Sequence, residues 1–138
     1  MSPFHLAIPV LSLSDSEHFY GGILGCDKGR SSDHWIDWNF YGHQLVTHKV
    51  HVMPAFQGHN AVDNKDVPVP HFGLIMTMSD WQSLANKLTA AHCHFVVEPY
   101  IRFQGQIGEQ ATMFLLDPSG NALEFKAFVD MSQIFAYT

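Results

Sequence analysis

Two stretches of this 138-residue chain carry one apolar pattern, and its recurrence restricts the fold more than any other feature. In Pro3–Val10, Phe4, Leu6, Ile8 and Val10 make a bulky face, while His5, Ala7 and Pro9 make a smaller one, as in a strand packed on one side. In His71–Met78, Phe72, Leu74, Met76 and Met78 make the bulky face, opposite His71, Gly73 and Ile75. Each strand leads into a capping-box candidate, Ser14-Asp15-Ser16-Glu17 or Ser79-Asp80-Trp81-Gln82. Helical spacing follows, through Phe19, Tyr20, Ile23 and Leu24 to a stop at Gly25, and through Trp81, Leu84, Ala85, Leu88 and Ala91. Strand-like runs come next: a weak one at 28–32, then 35–41 and 43–52 in the first half, and 95–103, broken at Pro99, in the second. The second half ends in a hairpin, Met113–Leu116 and Ala122–Phe128, joined by the tight-turn residues Asp117-Pro118-Ser119-Gly120-Asn121. The order strand, helix, three strands therefore occurs twice. It predicts an α+β chain of two βαβββ units, residues 1–52 and 70–138, joined by a linker at 53–69. That linker contains Pro54, Gly58, Asn60, Asp63, Asn64, Pro68 and Pro70 without sustained periodicity.

The repeat also sorts the polar residues. If the bulky faces pack on helices, His5, His71 and Glu124 all fall on the opposite faces of their strands. Two imidazoles and a carboxylate form a set able to hold one divalent metal and leave coordination positions open. Taken singly, each has an ordinary alternative: Glu124 on a solvated sheet face, each histidine satisfied or exposed. Composition narrows the partner. A formal net charge of -6 without a Lys/Arg cluster argues against nucleic acid, and no apolar run approaches membrane-spanning length, so a small molecule and a cytoplasmic location are expected. Cys26 and Cys93 lack metal-type spacing.

PFHLAIPV with the helix ending FYGGILGC, then VPHFGLIM, then FLLDPSGNALEFKAF, resembles the vicinal oxygen chelate superfamily of glyoxalase I, extradiol dioxygenases and fosfomycin- and bleomycin-resistance proteins. The resemblance covers nearly the whole chain. It implies that the two units form a curved, partly open eight-stranded mixed sheet with a divalent metal (Fe, Mn, Zn, Ni or Co) in its concavity. By position, His5 and His71 match the first-strand ligands and Glu124 the last-strand ligand. It also implies a homodimer, in which units pair within one chain or exchange between two.

Aligning Gly42 with Gly120 sets Val46 opposite Glu124, where glyoxalase I would offer a fourth protein ligand. Val46 cannot ligate. Gln44 and His48 lie one step either side on the same face, so either is a candidate fourth ligand or a polar lining of the cavity, and His48 or Glu124 is the candidate general base. Without a fourth ligand, the set resembles the three-ligand site of extradiol dioxygenases. Arg102 and Tyr100 are candidate binders of an anionic substrate group, unless Arg102 pairs with Glu98. Two functions remain: a metal-dependent enzyme with dioxygenase-like or lyase/isomerase chemistry, or a metal-free drug-sequestering protein of the bleomycin-resistance type.

Overall fold

A computed structural model describes residues 1–55 and 58–137; positions 56 and 57 of the expected linker and 138 of the tail lie outside the described residues. The chain divides into two compact units: residues 1–55 with the turn Asp117–Asn121, and the remainder. No helix among the described residues is long and apolar enough to cross a membrane.

The first unit runs β1 (His5–Val10), α1 (Leu13–Ser16) continuing as a π-helical stretch (Glu17–Ile23), β2 (Asp27–Ser31), β3 (Trp35–Phe40) and β4 (His43–Lys49). The strands lie in the order β1-β4-β3-β2, with β1 parallel to β4 and Ala7 opposite Val46. Ser12, not Ser14, caps α1: its hydroxyl accepts the Asp15 N–H at 3.2 Å. Glu17 does not reach back as a capping box would; it pairs with Lys28 at 2.9 Å. Phe19 and Tyr20 from the helix and Val10, Ile36, Trp38 and Leu45 from the strands are buried. The turn Asp117–Asn121 supplies the buried polar centre of this unit. Tyr20 donates its hydroxyl to Asp117 at 2.8 Å, Asp117 accepts the Ser119 and Asn121 N–H groups at 2.9 Å each, and Asn121 donates to the Pro9 carbonyl at 2.8 Å. A buried carboxylate is tolerated because donors satisfy it on every side.

The second unit opens with an element that sequence reading did not foresee. Residues expected to be linker pair as an antiparallel hairpin, β5 (Gly58–Val62) and β6 (Lys65–Val69). Its turn is Asp63-Asn64, both at positive φ (52° and 61°), the combination that matches the twist of a two-residue hairpin. Then come β7 (Phe72–Met76), α2 (Met78–Ala90), β8 (Phe95–Arg102), β9 (Gln110–Leu116) and β10 (Ala122–Phe128). Their order, β7-β10-β9-β8 with β7 parallel to β10, repeats that of the first unit. Thr77 caps α2 by accepting the Asp80 N–H at 3.2 Å, again two residues before the capping candidate read from sequence. Trp81, Leu84, Ala85 and Leu88 bury the inner face of α2 with Leu123, Phe125 and Ala127 of β10, and the Trp81 indole donates to the Phe125 carbonyl at 2.9 Å. Both βαβββ units predicted by the repeat are thus present, each as a mixed four-stranded sheet.

Candidate functional site

With Leu123 and Phe125 facing the helix, alternation turns Glu124 to the other face of the second sheet. Register sets Gly73 on one side of it and Phe114 on the other. Thr112 lies one step along that face of β9 and donates its hydroxyl to Glu124 Oε2 at 2.5 Å. His71, the residue before β7, brings Nε2 to 3.2 Å from Glu124 Oε1. Its other nitrogen, Nδ1, is 2.7 Å from the Pro68 carbonyl. A carbonyl only accepts, so Nδ1 carries the proton and Nε2 is the atom with chemistry to offer. The imidazole also stands edge-on to Phe114, with centroids 4.9 Å apart and planes at 84°.

Burial raises the Glu124 carboxyl, but hydrogen bonds from His71 and Thr112 and the charge of Lys126 outweigh it, leaving the group below its ordinary value. The bond to Glu124 raises His71, burial opposes it, and the Pro68 carbonyl adds to the rise. The two shifts favour the charged pair, imidazolium beside carboxylate, and a cation taken up in place of the proton would meet Nε2 of His71 and Oε1 of Glu124.

His5 sits in the first unit, exposed at the start of β1 opposite Gln44. Its Nδ1 lies 2.7 Å from Gln44 Oε1, so the amide oxygen accepts from Nδ1 and leaves Nε2 as the free donor atom. Both histidines are thus held by an acceptor on Nδ1, the arrangement that fixes the tautomer of metal-binding imidazoles. Val46 is buried at 6 % exposure and lies opposite Ala7, two residues beyond His5, just as Glu124 lies opposite Gly73, two residues beyond His71. His48 is exposed, opposite Pro9 and Trp35. Among the described residues, no group of three or more His, Cys, Asp or Glu side chains is gathered closely enough to hold a metal. The structure brings His71 and Glu124 together within one unit and places His5 with Gln44 in the other.

Arg102 and Tyr100 do face the Glu124 side, opposite Gln110 and Thr112 respectively. The carboxylate that engages them is Asp63 of the hairpin turn and not Glu98. Register shifts between Phe95 and Val97 and between Val97 and Tyr100, around Pro99, break the simple alternation that aligned Glu98 with Arg102. Sequence reading missed Thr112, Asp63 and the Pro68 carbonyl. Thr112 was recoverable by counting back across the hairpin turn from Glu124; the other two required knowing that residues 58–69 form a hairpin.

Residues 2–125 match the Glyoxalase/Bleomycin resistance protein/Dioxygenase superfamily. A glyoxalase/bleomycin resistance protein/dioxygenase from Alicyclobacillus acidocaldarius is 32% identical, with a TM-score of 0.78 over 97% of this chain and 96% of that one. A fosfomycin resistance protein from Listeria monocytogenes shares the fold at 13% identity, with a TM-score of 0.69 over 92% of this chain and 93% of that one. A glyoxalase/dioxygenase from Nostoc punctiforme does so at 14% identity and a TM-score of 0.69, over 94% and 92%. No curated protein matches the chain. With the duplicated βαβββ order and a family match spanning nearly all of the sequence, the chain belongs to the glyoxalase/bleomycin resistance protein/dioxygenase superfamily.

Proposed function

We propose that this protein is a metal-dependent enzyme of its superfamily, acting on a small molecule that presents two adjacent oxygens. The observation that carries the reading is the His71–Glu124 pair, with Nε2 and Oε1 3.2 Å apart and the far atom of each side chain fixed by Pro68 or Thr112. Donors constrained in this way lose little freedom on taking up a cation. His5, oriented by Gln44 in the same manner, is the third donor we propose, from the same chain or from a second copy. The set is two imidazoles and one carboxylate, and Val46 supplies no fourth ligand, which favours dioxygenase-like chemistry over glyoxalase-like chemistry.

A divalent metal held there supplies Lewis-acid polarisation of the substrate oxygens. The chain's own residues do the remaining work. The Pro68 carbonyl keeps the His71 proton on Nδ1, and the Thr112 hydroxyl holds Glu124 Oε2, leaving Oε1 to bind or to accept a proton. His48 is the alternative base, exposed one step beyond Val46 on β4. Phe114 walls the imidazole and limits water on that side.

Metal content of protein purified without added metal or chelator, beside Glu124→Gln, tests this. Near-stoichiometric iron lost in the variant supports the dioxygenase-like site; zinc or nickel lost in the variant points to lyase or isomerase chemistry. Failure to bind any divalent ion after reconstitution overturns the reading and leaves a metal-free sequestering protein. Mixing His5→Ala with Glu124→Gln protein then assigns the third donor: recovery of metal binding means that His5 acts across two chains.

A further inference from the structure

The hairpin β5–β6 places a carboxylate on the Arg102 guanidinium. Asp63, at the turn, accepts from Arg102 Nε at 2.5 Å through Oδ2 and from Nη2 at 3.4 Å through Oδ1, a side-on fork of the kind arginine offers to a carboxylate ligand. The Tyr100 hydroxyl donates to the same Oδ2 at 3.2 Å. The Arg102 side chain is only 20% exposed, whereas Asp63 is 37% exposed. The guanidinium is therefore fixed in the sheet, and its counter-ion is carried in from the surface.

The hairpin is held unevenly. Its strands are anchored by Val67, buried with Val97 and Phe114, and by Val62, which packs partly buried against the same cluster at the edge of the Glu124 face. Toward the turn it is held by Asp63 and by the Lys65 ammonium, 4.8 Å from the Tyr100 ring centroid. A two-stranded ribbon has little stability of its own, so loss of the Asp63 contact loosens the tip at Asp63-Asn64 while Val62 and Val67 keep the strands docked. On β8 and β9, Tyr100 lies opposite Thr112, which holds Glu124, so the guanidinium sits along the same face as the proposed metal donors.

We infer that Arg102 and Tyr100 form a carboxylate-binding subsite whose resident occupant is Asp63, and that a carboxylate-bearing ligand binds by replacing Asp63 and releasing the hairpin tip. This rests on the same face as the proposed metal site but not on the metal. A built-in competitor lowers apparent affinity by the fraction of time that it vacates the site.

The test uses the full chain, metal-free, with 4-fluorobenzoate as the probe, followed by fluorine NMR titration and by amide exchange over residues 58–69. Asp63→Asn is expected to tighten probe binding about tenfold by removing the resident charge. Asp63→Gly, which suits the positive φ of the turn, repeats the test without a side chain should the Asn variant fold poorly. Arg102→Gln in either background is expected to abolish binding, and the probe is expected to speed exchange at the hairpin tip of the unsubstituted protein. No tightening in either Asp63 variant, or binding that survives Arg102→Gln, overturns the inference. Probe binding unchanged in Glu124→Gln keeps this subsite even if the metal reading fails; metal binding without any probe effect removes the subsite alone.

Discussion

The two units share a frame and differ in what they hang on it. Each orders its sheet with the first strand parallel to the last, and each turns into its last strand through a glycine at φ 91°, Gly42 or Gly120. Counting on from those turns, Val46 and Glu124 occupy matching places. The first unit keeps that place apolar and buried; the second fills it with a carboxylate and surrounds it with Thr112 and His71. The histidines are oriented by different means as well, His5 by a side-chain amide and His71 by a backbone carbonyl. The duplicated frame is common to both units, and the paired carboxylate and imidazole lie in the second.

The largest effect in this comparison is expected at the place facing Val46 or Glu124. In the first unit that residue is Ala7; in the second it is Gly73, where an added Cβ would overlap the Glu124 carbonyl oxygen. Gly73→Ala forces β7 and β10 apart and should destabilise by about 4 kcal/mol or prevent folding, whereas Ala7→Gly should cost about 1 kcal/mol. Chemical denaturation of both variants measures the asymmetry; equal effects would mean that the strands approach alike in both units.

Next is Gln44→Ala, which removes the acceptor on His5 Nδ1 and should weaken metal binding about tenfold, as loss of an orienting partner does. No equivalent side-chain change reaches the Pro68 carbonyl, so His71 is protected from this kind of loss. Unchanged metal affinity in the Gln44 variant would show that His5 needs no orientation.

The smallest effect concerns pH. Hydrogen bonding from Arg102, with Tyr100 and Lys65 assisting, holds the Asp63 carboxyl below its ordinary 3.8. Its contribution to stability is therefore complete above the ordinary value and is lost as pH falls through the lower folded value. As an exposed pair it amounts to about 1 kcal/mol or less. Acid denaturation of Asp63→Asn should show a shallower loss of stability over that interval, and an unaltered profile would detach Asp63 from Arg102 in solution.

Much of the site was readable before the fold was known, because strand alternation assigns faces without knowledge of contacts. His71 and Glu124 on one face and Arg102 and Tyr100 on the Glu124 side follow from parity, whereas Val46 at the place matching Glu124 follows from aligning Gly42 with Gly120. Parity failed beside Pro99, where register shifts removed Glu98 as the partner of Arg102. The hairpin at 58–69 was hidden by its own composition: Asn60, Asp63, Asn64 and Pro68 read as loop residues one at a time. Only the pairing of Val62 with Lys65 across two positive-φ residues makes them a turn between strands.

By itself, then, the sequence determined the two βαβββ units and the side of each strand on which a polar residue emerges. Both depend on local periods that hold wherever the chain lies. Only the tertiary structure decided which atoms meet: Thr112 and His71 on Glu124, Pro68 behind His71, Gln44 on His5, and Asp63 on the arginine. Those partners are set by register and by a hairpin folding back over the sheet, and neither leaves a periodic trace in the residues concerned.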